Sequence, residues 1–261
     1  MIDKVIHYCW FGNNPKSDLI NKCIESWKKY CPEYKIIEGN EHNFDINMCE
    51  FTKNAYKTKK YAFVSDVARI WAIYNYGGVY LDTDVELYKS LDELLNYEAF
   101  FCIDNGRSIN TGSGCGAETN HIAMKILLDD YRNQYFELDR ENNLVCSYLN
   151  TIVLQSKYPK FEKMDKTQVI DNIIFLSSSD MNIISKHHGE RSWLEDFDKS
   201  MVKHHGRMKM SILMKLRNPK IFEFIVKYFG TKGEKIYEFL VYDFFDLKIS
   251  YFIKKFIKKY I

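Results

Sequence analysis

The segment Tyr61–Asp84, YAFVSDVARIWAIYNYGGVYLDTD, contains the pattern that decides the fold. Its first part repeats apolar side chains at helical spacing, which predicts a helix over Tyr61–Tyr76 that ends at Gly77-Gly78. The apolar triplet Val79-Tyr80-Leu81 then predicts a buried strand, interrupted by Asp82-Thr83-Asp84. A long apolar helix that leads directly into a buried strand is typical of an α/β protein.

The same alternation continues on both sides of this segment. Apolar residues from Leu19 to Trp27 recur at helical spacing, and Pro32 ends that predicted helix. Further strands are predicted over Lys4–Trp10, Tyr34–Ile37, Val85–Leu87, Ala99–Ile103 and 168–176, and further helices over 120–134 and 144–156. We therefore expect a mostly parallel, Rossmann-like sheet flanked by helices, forming one domain over residues 1–200.

The composition supports a folded chain with an unusual C-terminal part. Among 261 residues, 46% are hydrophobic and 16% aromatic, which is enough to bury a core and excludes general disorder. The formal net charge of +2 is misleading, because residues 203–261 contain fourteen Lys or Arg residues against five acids, so that the rest is acidic. We expect a basic, helical extension over residues 201–261.

The last residues of this extension have the pattern of an amphipathic helix. Apolar residues between Ile249 and Ile261 share one helical face, and four lysines lie on the other. This predicts docking of residues 247–261 on an anionic membrane surface. Packing on the body of the protein or on a second subunit, as in a homodimer, is the alternative. No nucleic-acid partner is expected, because no known module accompanies the charge.

Cysteine usage and hydropathy predict the compartment. The seven cysteines are scattered without zinc spacing, which favours free thiols in a reducing environment. Neither a signal peptide nor a long apolar run is visible. We expect a cytoplasmic protein, peripheral on the inner face of the plasma membrane.

Two carboxylates at the end of a buried strand are the first sign of chemistry. Asp82 and Asp84 would repel each other, and a hard divalent cation such as Mn²⁺ or Mg²⁺ resolves that conflict. A polar strand end without an ion is the alternative. A phosphohydrolase nucleophile strand is disfavoured, because Glu86 occupies its fifth position and no partner lysine motif is evident.

Asp66 and Arg69 are the second sign. They are three residues apart and share one face of an otherwise apolar helix. That arrangement indicates either a surface ion pair or a polar face that borders a cavity. The strand that follows this helix ends in the candidate metal ligands Asp82 and Asp84, which favours the cavity.

Three blocks together carry a family resemblance. The chain resembles the family-32 glycosyltransferases, the DXD-containing sugar-binding proteins of bacterial capsule and surface-glycan clusters, which are related to yeast mannosyltransferases. The glucosylating domain of large clostridial toxins is similar. The match runs through roughly the first 195 residues and rests on Ile6–Gly12 (IHYCWFG), Tyr61–Arg69 (YAFVSDVAR) and Tyr76–Val85 (YGGVYLDTDV). The resemblance implies a GT-A type fold.

The resemblance also implies roles for residues in these blocks. Trp10 would stack on the nucleobase, unless it is a core tryptophan, and Asp66 and Arg69 would hold the donor sugar and diphosphate, although the spacing here is Asp-x-x-Arg. Gly39 replaces a tryptophan that the family often has, which puts nucleoside contacts from that turn in doubt. Tyr80, Asp82 and Thr83 would contact the nucleotide sugar, and Asp82 and Asp84 the metal.

Two later segments resemble further family blocks. His187-His188-Gly189-Glu190-Arg191-Ser192-Trp193 resembles the closing block, which implies His187, or else His188, as third metal ligand, with Ser192 and Trp193 over the donor. A surface histidine pair is the alternative. Asn110-Thr111-Gly112-Ser113-Gly114 resembles the Asn-Thr-Gly segment of the family beside the transferred sugar and acceptor, where Asn110 would bind hydroxyls and the glycines would let backbone approach the ligand. Asp104 and Asn105 are weaker acceptor candidates.

The implied activity is metal-dependent, retaining transfer of a sugar from a UDP-sugar to a lipid-linked surface or capsular polysaccharide. Asp66, Arg69, Asp82, Asp84 and Asn110 would form the catalytic set. Two alternatives stay open at this point: a transferase that modifies a protein acceptor, and a catalytically silent, membrane-bound factor of glycan assembly.

Overall fold

The computed structural model describes residues 1–104, 107–137 and 146–189. Its strands are β1 Val5–Cys9, β2 Lys35–Gly39, β3 Gly78–Tyr80, β4 Val85–Leu87, β5 Ala99–Cys102, β6 Cys115–Ala117, β7 Gln168–Ile170, β8 Ile173–Leu176 and β9 Ser185–His187. Its helices are α1 Asp18–Tyr30, α2 Glu50–Lys57, α3 Tyr61–Tyr76, α4 Ile122–Asn133, α5 Cys146–Lys157 and α6 Ser178–Ile184, with a 3₁₀ helix at Asp92–Asn96.

A seven-stranded sheet with the order β2-β1-β3-β6-β5-β8-β7 forms the centre. Strand β1 pairs in parallel with β2 and β3, and β5 pairs in parallel with β8. Strands β6 and β7 run antiparallel to their neighbours. Five of the seven strands therefore share one direction, which confirms the predicted mostly parallel α/β sheet.

Alternating side chains of the strands divide the core into two layers. Tyr80 and Phe101 face the layer formed with α2, α3, α4 and α5, whereas Val79 and Phe100 face the layer that contains Trp27 of α1. Helix α3 packs against β1 and β3 on one side and against α2 and α4 on the other. This double contact explains why α3 is apolar around most of its circumference.

The double glycine after α3 permits the turn into β3. Gly77 and Gly78 have φ values of 63° and 95°, in the region that favours glycine. A Cβ on Gly78 would also lie 2.8 Å from the carbonyl oxygen of Val5. A single residue, Gly77, therefore separates the end of α3 from the start of β3, and α3 has the bounds that the sequence predicts.

The fold differs from the sequence-based expectation at several elements. Strand β4 does not continue β3 but pairs with β9 in a separate two-stranded sheet, because the chain turns at Asp82, whose carbonyl accepts the amide of Val85. The strand expected over 168–176 is a hairpin of β7 and β8. Elements α2, α6, β6 and β9 were not predicted.

The predicted extension over residues 201–261, with its docking segment 247–261, lies outside the described residues. Within the described ranges, no helix is both long and apolar enough to cross a bilayer. All seven cysteines are free thiols, as the sequence predicts.

Candidate active site

The site forms where β3 ends and β4 begins. Asp82 follows the C-terminal end of the central strand β3. The pairing of β4 with β9 places His187 opposite Val85, next to Asp84. The amide of His188 donates to the carbonyl of Asp84 at 3.0 Å. The short second sheet thus brings together residues that are about a hundred positions apart in the chain.

Asp82, Asp84 and His187 form a cluster with the chemistry of a divalent-cation site. One ligand atom from each lies within 4.8 Å of the others. The His187 Nε2 lies 3.2 Å from Asp84 Oδ1 and 3.9 Å from Asp82 Oδ2. Two donor atoms that share one small divalent ion are at most about 4.2 Å apart, and the two distances from His187 lie below that limit. Two carboxylates and an imidazole suit Mn²⁺ or Mg²⁺.

The neighbouring carboxylates change the protonation of His187. Burial opposes the charged imidazolium, but the hydrogen bond to Asp84 and the negative charges of Asp82 and Asp84 outweigh it and raise the pKa of His187. The two carboxylates therefore favour the protonated form of the His187 ring. A bound cation would replace that proton at Nε2.

His188 faces a different partner. Its Nε2 lies 3.0 Å from Glu86 Oε2, and the other oxygen of Glu86 pairs with Lys22 at 2.8 Å. Of the two histidines in the closing block, the structure places His187 beside the aspartates and His188 in this separate ion-pair cluster.

Arg69 connects the helix α3 residues to the strand end. Its Nη2 lies 2.9 Å from Asp66 Oδ1 and 3.1 Å from Asp82 Oδ1. The guanidinium stacks over the Tyr80 ring at 4.7 Å, and the Tyr80 hydroxyl donates to Asp82 at 2.9 Å. Asp66 and Arg69 are only 7% and 3% exposed. They are therefore a buried charge pair beside a cavity, and not the surface ion pair that the sequence left as the alternative.

Asp66 has an unusual carboxyl group. Burial raises its pKa to about 7, and the charge of Asp82 adds to that rise, whereas the Arg69 guanidinium and a hydrogen bond from Cys146 oppose it. Its ionised form therefore depends on Arg69.

A cavity of about 510 Å³ opens onto these residues. That volume is typical of small-molecule sites. Trp10 is half-buried at its wall, with the indole nitrogen donating to the carbonyl of Asn14 at 2.7 Å and the Lys16 ammonium 5.6 Å from the ring centre. Trp10 also packs against the core layer of α1. The cavity wall includes Trp10, Asp66, Arg69, Tyr80, Thr83 and Asn110.

The Asn110–Ser113 segment is a tight turn at the cavity. Asn110 lines the cavity, but its side-chain oxygen accepts the amides of Gly112 at 3.0 Å and Ser113 at 3.3 Å. Gly112 makes room for a protein side chain, since a Cβ there would overlap the Asp82 carboxylate. The sequence predicts that a ligand approaches the backbone at this glycine, and in the structure the Asp82 carboxylate lies close to it.

Of the predicted residues that the structure describes, Asp104 does not line the cavity. Asp104 accepts the amide of Ser108 at 3.0 Å and closes a turn. Asn105, Ser192 and Trp193 lie outside the described residues. Sequence reasoning did not select Ser113, whose hydroxyl contacts His187, or Cys146 and Tyr61, which line the cavity. A serine within a glycine-rich turn carries no sequence signal for such a role.

Comparison with known proteins gives a sequence match over part of the chain. Residues 17–101 match the family described as "Glycosyltransferase sugar-binding region containing DXD motif". Inositol phosphoceramide mannosyltransferases 1 and 3 of Schizosaccharomyces pombe (strain 972 / ATCC 24843) are 31% and 32% identical over 109 and 114 residues. Each alignment covers 38% of this chain, but only 33% and 29% of the respective relative. The chain thus spans about a third of the length of these relatives.

A solved structure supports the fold. The protein named PaToxG Glycosyltransferase superposes with a TM-score of 0.50 at 18% identity, covering 62% of this chain and 71% of that chain. Such a likeness concerns the backbone architecture, which is of the GT-A type. Residues 17–101 therefore match a glycosyltransferase sugar-binding region containing a DXD motif, and Asp82-Thr83-Asp84 lies within the matched residues of a GT-A type α/β fold.

Proposed function

We propose that this chain is a metal-dependent, retaining glycosyltransferase that moves a sugar from a UDP-sugar to a lipid-linked surface or capsular polysaccharide. The observation that carries the proposal is the Asp82, Asp84 and His187 cluster beside a cavity of about 510 Å³. The sequence match to a DXD-containing sugar-binding region supports the same reaction class.

The chemical problem in such a reaction is the leaving nucleoside diphosphate, on which negative charge develops as the glycosidic bond breaks. A divalent cation held by Asp82, Asp84 and His187 would supply Lewis-acid stabilisation of that charge. Arg69 adds a fixed positive charge next to Asp82, and its ion pairs hold the Asp66 and Asp82 side chains in place. Asp66 and Asn110 line the cavity, where they would orient sugar hydroxyls.

The nucleobase would stack on Trp10, a half-buried flat ring at the cavity wall. Retention of configuration is proposed from the family resemblance, with attack on the face from which the diphosphate leaves. A lipid acceptor agrees with the relatives, which are named inositol phosphoceramide mannosyltransferases. We propose that residues 247–261 hold the enzyme at the cytoplasmic membrane face, where such an acceptor would be exposed.

Release of nucleoside diphosphate from a panel of donors tests the activity. The full chain is incubated with UDP-glucose, UDP-galactose, UDP-N-acetylglucosamine and GDP-mannose, the last because the relatives are named mannosyltransferases. We expect release from one donor with Mn²⁺ and none with a chelator. Asp82→Asn and Asp84→Asn should each lower the rate by about 10²–10³-fold. Asp129→Asn, on the outer surface of α4, is the matched control and should keep the full rate.

Two results would contradict the proposal. One is the absence of release from every donor, which would favour a catalytically silent assembly factor. The other is full activity of the Asp82→Asn/Asp84→Asn double variant. Transfer to a protein, and not to a lipid-linked glycan, would retain the reaction type but change the acceptor.

A further inference from the structure

We propose that Ser113 is a positioning residue that orients the His187 imidazole, so that Nε2 is the nitrogen directed at Asp82 and Asp84. This inference rests on the proposed function, because it concerns the metal ligand that the function requires. It assigns a role to a side chain that neither the sequence motifs nor the family match selects.

The contact is direct. The Ser113 hydroxyl oxygen lies 2.9 Å from His187 Nδ1, on the side of the ring opposite to the carboxylates. His187 Nε2 lies 3.2 Å from Asp84 Oδ1. When Nε2 serves as a ligand, its lone pair must be free, so the proton of a neutral imidazole resides on Nδ1 and the Ser113 oxygen accepts it.

The backbone alone does not set this orientation. Pairing of β4 with β9 fixes the main chain of His187 opposite Val85, but a half-turn of the ring about its Cβ–Cγ bond would exchange the positions of Nδ1 and Cδ2. A hydrogen bond to Nδ1 distinguishes the two ring orientations. The Ser113 hydroxyl provides that bond in this structure.

Ser113 is itself held firmly. The Asn110 side-chain oxygen accepts the amides of Gly112 and Ser113, which closes the turn. The carbonyl of Gly112 accepts the amide of Asp82 at 3.0 Å. The same short turn therefore carries the partner of His187 and is bonded to the backbone of Asp82, so it sets the position of one ligand relative to another.

Thr111, two residues before Ser113 in the same turn, contacts Arg69. Arg69 Nη1 donates to the Thr111 hydroxyl at 3.3 Å, and Asn150 of α5 donates to the same oxygen at 3.0 Å. Thr111 and Asn150 are almost fully buried. Consecutive residues of one turn thus contact Arg69, Asp82 and His187, which makes the turn a support for the whole charged cluster.

Mn²⁺ binding to the full chain, measured by electron paramagnetic resonance without any donor sugar, tests the role of Ser113. Ser113→Ala should weaken Mn²⁺ binding by about 10–100-fold, the usual effect of removing a partner of a metal-bound histidine. Ser113→Thr keeps the hydroxyl and should restore most of the affinity. Ser156→Ala removes an exposed hydroxyl of α5 and should leave the affinity unchanged.

A double-mutant cycle separates this role from a general loosening of the turn. In a His187→Ala background, Ser113→Ala should change the Mn²⁺ dissociation constant by no more than about two-fold. An equal loss in both backgrounds, or no loss with His187 present, would overturn the assignment while Mn²⁺ binding by the unmodified protein still stands. Absence of Mn²⁺ binding in the unmodified protein would overturn this inference and the metal dependence of the proposed function together.

Discussion

Arg69 is the buried positive charge that neutralises two carboxylates of the site. It is 3% exposed and pairs with both Asp66 and Asp82. Removing one partner of a buried ion pair leaves an uncompensated charge. We therefore expect Arg69→Met to lower the free energy of unfolding by about 3–5 kcal/mol, measured by urea denaturation at pH 8.

A second substitution identifies the cause of that loss. Because burial already raises the pKa of Asp66 to about 7, its charge is the one least tolerated without Arg69. Adding Asp66→Asn to Arg69→Met should recover part of the stability but none of the transferase activity. A double variant as unstable as Arg69→Met alone would show that lost packing on Tyr80, and not an unpaired charge, dominates.

The charged residues of the site were predictable from sequence, whereas their supports were not. Asp66 and Arg69 stand out because they interrupt an apolar helix, and Asp82 and Asp84 because they end an apolar strand. Thr111 and Ser113 have no such contrast, since small polar residues are ordinary in a glycine-rich turn. Only the fold reveals that these two side chains contact Arg69 and His187.

At the scale of elements, predictability follows the length of the repeating pattern. Helix α3 has sixteen residues and is followed by glycine, so its own sequence defines its long apolar pattern and its C-terminal end. Strand β9 has three residues and exists because β4 pairs with it. Local sequence does not encode a pairing between distant strands. The pairing of β4 with β9 places His187 beside Asp84 in the site.

The β7–β8 hairpin shows the same limit in a longer segment. The apolar run over 168–176 resembles one strand, but Asp171 and Asn172 have φ values of 49° and 60° and reverse the chain. Positive φ at both central residues defines a type I′ hairpin turn, which Asn and Asp tolerate better than other non-glycine residues. The turn signal is therefore present in the sequence, although apolar neighbours obscure it.

Asn172 provides a test of this element. Asn172→Val places a β-branched residue in the left-handed region and should destabilise the protein by about 1–2 kcal/mol. Asn172→Gly suits the same φ and should stay within about 0.5 kcal/mol of the unmodified protein in urea denaturation. Equal stability of the Val and Gly variants would contradict a left-handed turn at this position.

At the scale of the whole molecule, charge is distributed unequally along the chain. The candidate site belongs to the acidic part, whereas residues 203–261 contain fourteen of the 37 Lys and Arg residues. Near an anionic membrane surface each lysine contributes about 1 kcal/mol of attraction. The four lysines among residues 254–259 would therefore strengthen binding to such a surface by roughly a thousand-fold.

Sedimentation with lipid vesicles tests this attraction. The full chain should sediment with vesicles rich in phosphatidylserine, and binding should fall in high salt because exposed charges are screened. Exchanging Lys254, Lys255, Lys258 and Lys259 for Gln should abolish most of the binding. The matched control exchanges four exposed lysines of the described surface, Lys53, Lys125, Lys157 and Lys160, and should bind like the unmodified chain. Equal loss in both variants would indicate that net charge alone drives binding, and equal retention would refute membrane docking by the C-terminal lysines.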